Sequence, residues 1–221
     1  MNIEENIIKY YLRNVYFING TAYAGKSTMV KIISEKYDMI FCGENYHSIF
    51  PKEYLDKEIQ PGLCYLQAMK DWQEFINRTP EEYEKWINDS SKEATEIEIM
   101  ELVKLSFMNK KIIVDTNISI ENLMKISDYN HIALMICRPE ISIENFFQRK
   151  DEDKIFIFEQ IKKAKNPEKT MKNFKECLFK INNKETYLKF KNSGLFVLER
   201  ENINFDTKEI MLRKLVEHFK L

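Results

Sequence analysis

Glycine is scarce in this chain, five in 221 residues, and two of the five close the ends of one short stretch, Gly20-Thr21-Ala22-Tyr23-Ala24-Gly25, which Lys26-Ser27 follows. The β-branched and aromatic run Val15-Tyr16-Phe17-Ile18-Asn19 precedes it, and a helical pattern from Lys26 to about Tyr37 comes after. Glycines let the backbone curl until successive N–H groups face a common centre, and the first turn of a helix adds its partial positive charge there. Strand, glycine loop and helix in this order predict an anion-binding loop at a sheet edge. The stretch satisfies G-x-x-x-x-G-K-[ST] at every defined position. In that pattern the backbone from Gly20 to Thr28 cradles phosphates, Lys26 reaches the β and γ phosphates, and the Ser27 hydroxyl holds Mg2+.

Four further apolar runs, at 39–42, 111–114, 131–137 and 195–198, have the length of parallel strands covered on both faces. Helical patterns lie between them at 120–127, at 143–164 and from 167 toward 190. A last helix, capped by Asp206 or Thr207, ends near Phe219. The alternation predicts an α/β fold of three layers, a five-stranded parallel sheet with right-handed crossovers and helices on both faces, as one domain over 1–221. The interval 46–106 is too long for one crossover helix. It reads as two or three helices punctuated by Pro51, Pro61-Gly62 and Pro80, inserted between the second and third strands.

Composition narrows the class further. Hydrophobic residues at 44% and charged residues at 31% exclude a disordered chain, and no apolar run is long enough to cross a bilayer. Lys and Arg number 34 against 35 Asp and Glu, a formal charge of -1, which disfavours a nucleic-acid partner. Cys42, Cys64, Cys137 and Cys177 form no C-x-x-C pair and read as free thiols of a reducing compartment. Acids at Glu4 and Glu5 stand where a signal peptide carries positive charge, so a cytoplasmic protein is expected, with no lipid anchor.

With the loop and strand layout in view, the chain resembles the P-loop NTPase superfamily. Its length and five strands are similar to the small-molecule kinases of that group, of nucleoside, nucleotide and shikimate type. Tyr23, Ala22 and Ala24 make the loop tip bulkier than the usual small-residue filling. Guanine-specific relatives carry N-K-x-D, which Asn109-Lys110-Lys111-Ile112 and Asn183-Lys184-Glu185-Thr186 both lack, and the transporter ATPase Ser-Gly-Gly signature is absent.

The apolar strand Ile112-Ile113-Val114 ends in Asp115, the pattern of an acid that holds the Mg2+ shell, or alternatively of a strand-end cap. Thr116 and Asn117 follow at the sheet edge where open α/β sheets bind ligands. Similar deoxyribonucleoside kinases place an Asp-Arg or Glu-Arg pair here, and Asp115-Thr116 departs from it. The resemblance implies that Glu44, after the second strand, faces the hydroxyl of a small-molecule phosphoryl acceptor, with His47 as a second candidate. It also implies a lid over 142–160 whose Arg149 meets the transferring phosphate, with Arg138 as a substitute, and an Arg200 near the adenine ring.

The insert holds Tyr46, Tyr54, Tyr65, Trp72, Phe75, Tyr83 and Trp86 with Gln67 and Gln73, residues that either stack on a planar base or pack helices. The sequence thus leads to an ATP- and Mg2+-dependent kinase for a small metabolite, a nucleoside or nucleotide favoured. The competing reading is a P-loop ATPase or nucleotide-binding regulator that acts through a protein. A homodimer is allowed for.

Overall fold

Residues 5–49, 52–144, 146, 152–201 and 206–221 are described by a computed structural model. Five parallel strands, β1 (Val15–Gly20), β2 (Ile40–Cys42), β3 (Ile112–Asp115), β4 (Ile132–Cys137) and β5 (Phe196–Arg200), form one sheet in the order β2-β3-β1-β4-β5. The chain steps from β1 outward past β3 to β2, returns to β3, and then crosses to β4 on the other flank. Direction reverses at β1, so the crevice at its carboxyl end is the place where such sheets bind ligands.

Side chains alternate across each strand and fill two layers. Tyr16, Ile18, Ile113, Ala133 and Met135 face α2 (Lys26–Lys36) and α11 (Lys208–Phe219), where Met29, Val30, Ile33, Leu215 and Phe219 close that core. Val15, Phe17, Ile112, Val114, Ile132 and Leu134 face the opposite layer, built from Leu123 of α6 (Ile120–Ile126), Leu102 of α5 (Pro80–Ser106) and Leu12. Leu12 follows α1 (Glu5–Tyr11), a helix in a segment read above only for targeting.

The long interval between β2 and β3 contains α3 (Pro61–Ala68), α4 (Trp72–Ile76) and the 27-residue α5. Pro80 sits in the first turn of α5, and Thr79 and Glu82 cap it reciprocally, which fixes where so long a helix begins. Its first half belongs to a separate helical core. There Phe75, Ile76 and Tyr83 meet Ile161 of α8 (Glu152–Lys162) and Phe174, Cys177 and Leu178 of α9 (Pro167–Ile181). The insert and the segment after β4 therefore share one core.

Two helical expectations need correction. The pattern from 167 toward 190 is two helices, α9 and α10 (Lys184–Lys191), because Asn182 leaves the helical region and Asn183 caps α10 by accepting from the Thr186 N–H. The pattern over 143–164 holds α8 only from Glu152. Its first residues end α7 (Pro139–Glu144), and 145 and 147–151 lie outside the described residues. No described helix is long and apolar enough to cross a membrane.

Candidate active site

The loop after β1 is pinned to its neighbours by a close backbone approach and by side-chain hydrogen bonds to backbone groups. At Gly20, φ is +136° and a Cβ would lie 1.8 Å from the Met135 carbonyl oxygen, so a side chain there would separate β1 from β4. Thr21 continues the seam. Its N–H donates to Met135 O at 3.0 Å, its hydroxyl donates to Cys137 O at 3.1 Å, and that hydroxyl accepts from the Cys137 N–H at 2.7 Å. On the other flank the Asn19 amide donates to Ile118 O and accepts from the Gly20 N–H. Gly25, left-handed at φ +92°, turns the chain into α2, and Tyr23 at the loop tip is also left-handed.

Lys26 and Ser27 open α2 opposite the end of β3. Lys26 is 8% exposed, and its Nζ donates to Thr21 O at 3.2 Å and lies 4.0 Å from Asp115 Oδ1. Ser27 Oγ donates to Asp115 Oδ2 at 2.7 Å. Asp115 is 1% exposed, and its Oδ1 has no hydrogen-bond partner among the described residues. Burial raises its pKa above the ordinary carboxylate range, with Lys26 and the Ser27 hydroxyl opposing that rise. A buried carboxylate oxygen left open between a lysine and a serine hydroxyl suits a hydrated divalent cation, which takes oxygen donors of this kind.

Lys26 and the loop residues Gly20, Thr21 and Ala22 line a cleft of about 1220 Å³ that Glu44, His47 and Glu98 also line. Glu44 is exposed on this cleft just past β2. His47, in the 3-10 turn Tyr46–Ile49, lines the same cleft, and its Nδ1 lies 2.9 Å from Glu98 Oε1. Glu98, 3% exposed at the middle of α5, also accepts from the Thr116 hydroxyl on Oε2 at 3.1 Å. Beside it, burial and then the Glu98 carboxylate push the Tyr46 phenol up.

The remaining expected residues are placed as follows. Arg200 ends β5, and its Nη1 donates to the Tyr23 carbonyl at 3.1 Å, so it touches the loop tip. Ala24 is buried beneath the loop in the sheet core, and Thr28 is exposed on the first turn of α2. Arg138 is exposed directly after β4, and Arg149 lies outside the described residues.

Most of the insert aromatics are brought together elsewhere. Tyr65, Phe75, Tyr83 and Trp86 surround the Arg78 guanidinium, with ring centroids 4.2 to 5.4 Å from its central carbon. Trp72 packs edge-on against Phe156 of α8, Gln73 donates to Gln160 O, and Trp86 and Gln67 also line the cleft.

Sequence reasoning passed over Glu98. A signal existed: Glu98 lies four residues after Ala94 and four before Leu102, on the buried stripe of α5, and a carboxylate at a core position implies a polar partner.

No protein-family model matches the chain, and no curated protein matches it in sequence. Among solved structures the chain is similar to the dephospho-CoA kinase from Campylobacter jejuni at 13% identity, covering 94% of this chain and 98% of that one with a TM-score of 0.45. So loose a likeness carries no argument about activity, which rests on the site itself.

Proposed function

We propose that the protein is a Mg-ATP-dependent phosphotransferase that transfers the γ-phosphoryl group to a small-molecule acceptor. The observation that carries this reading is the meeting at the head of α2, beneath a loop stapled to β4, of Lys26, Ser27 and Asp115, whose Oδ1 accepts no hydrogen bond among the described residues. The amides that follow Gly20 and the first turn of α2 supply donors for phosphate oxygens, and Lys26 adds a charge-assisted contact. Ser27 and Asp115 are the residues that would hold Mg2+, which when bound offsets charge on the phosphates. Arg200 supports the site from outside by fixing the Tyr23 carbonyl and with it the loop tip. The acceptor has the rest of the cleft, which Glu44, His47 and Glu98 of α5 line.

Calorimetry with Mg-ATP tests the donor half. Lys26→Ala is expected to weaken binding by about tenfold or more with the fold unchanged, because one charge-assisted contact is lost. Equal affinities for the two proteins would overturn the assignment.

A further inference from the structure

We infer that Glu98 and His47 form a proton-accepting pair, and that the acceptor is therefore a hydroxyl compound rather than a phosphate ester. The inference rests on the phosphotransfer reading above and deepens it.

Hydrogen bonds around Glu98 orient the pair. The Ile118 N–H donates to Thr116 Oγ1 at 3.1 Å, which leaves the Thr116 proton to be donated to Glu98 Oε2. Glu98 thus acts as an acceptor, and its second oxygen faces His47 Nδ1 at 2.9 Å. If Glu98 is a carboxylate, which can only accept, His47 donates from Nδ1, and in the neutral ring the lone pair is then on Nε2. The His47 side chain is 18% exposed, and His47 lines the cleft that Lys26 also lines. Thr116 adjoins Asp115, so one short segment ties the pair to the phosphate end of the site.

The chemistry then selects the acceptor. A hydroxyl must lose its proton as its oxygen bonds to the γ-phosphorus and the bond to the β,γ-bridging oxygen breaks, and Nε2 accepts that proton while ADP leaves. A phosphate ester is already anionic near neutral pH and gives such a base nothing to do. Glu98 is a positioning residue, and His47 is the group that touches the acceptor.

The test has two arms. Long-range nitrogen–proton NMR of the histidine rings, with His47 assigned by His47→Gln, is expected to find the proton on Nδ1 in wild type and to lose that preference in Glu98→Gln. A proton on Nε2 in wild type would overturn the pair whatever the activity. In the second arm, ADP release from Mg-ATP is measured against nucleosides, sugars and hydroxy acids, and separately against nucleoside monophosphates.

Turnover is expected with a hydroxyl compound. His47→Gln and Glu98→Gln should each lower kcat roughly a hundredfold, in the range for losing a general base, with KM within about threefold. The double variant should be no slower than His47→Gln, as two residues acting as one unit require. A purely structural Glu98 would instead add its loss to that of His47. Turnover confined to nucleoside monophosphates, or full kcat in His47→Gln with the loss confined to Glu44→Gln, overturns the inference alone. Wild-type protein that binds Mg-ATP yet phosphorylates nothing overturns the phosphotransfer reading, and this inference with it.

Discussion

At the scale of single residues, burial sets the chemistry. All four cysteines are buried; burial pushes the Cys42 thiol up to about 12 and Cys177 to about 11, and it raises Cys137 as well. Thiolates are the reactive form, so folded protein at pH 8 should give almost no fast reaction with a chromogenic disulfide reagent and four equivalents in guanidinium. Asp115 obeys the same rule with a different outcome. Its folded pKa lies above the unfolded value, so the ionised side chain disfavours the native state. That penalty is absent below the unfolded pKa and complete once pH has risen through the folded one. In EDTA at pH 7.5, Asp115→Asn should melt roughly 2–6 °C higher than wild type, with the gap closing as pH falls toward about 4. A lower melting temperature at pH 7.5 would contradict this balance. Lys26, Ser27 and Asp115 were legible in the sequence because each stands in a local pattern, a loop or a strand end. Glu98 was not, because His47 and Thr116, which give it meaning, lie 51 and 18 residues away.

Among the elements, α5 joins the two halves of the protein. Its first turns pack in the helical core with Phe75 and Phe174, and its last turns lie under the sheet with Leu102. Arg78, just before its cap, is 8% exposed inside the four-ring cage, and burial lowers its pKa. Arg78→Ala should cost on the order of 3 kcal/mol, from lost cation–π contacts and an emptied cage. Arg78→Met, which refills the volume without a buried charge, should cost less. Urea titrations read by fluorescence can compare them, since both tryptophans, Trp72 and Trp86, lie in this core. Strands were easy to place because five short apolar runs stand apart from charged sequence. The helix break at Asn182-Asn183 was missed because apolar periodicity continues across it and only the asparagine pair interrupts the backbone.

For the molecule as a whole, ligand binding and stability are coupled. Mg-ATP at a hundred times its Kd should raise global stability by about 2.7 kcal/mol, and Lys26→Ala should lose most of that gain at the same concentration. A thermal shift identical in both proteins would place the nucleotide elsewhere. The strand order has a further consequence, for the birth of the chain. β1 is the middle strand, yet both of its partners come late: Val15 pairs with Ile112, and Gly20 aligns with Met135. A polypeptide leaving the ribosome amino end first must hold Val15-Tyr-Phe-Ile18 without a sheet neighbour until roughly a hundred more residues have emerged. Nascent chains halted before β3 should therefore be captured by chaperones through this segment and cut readily by protease, and chains halted beyond β4 should resist both. The loop that the sequence announces first would be among the last parts to acquire its shape.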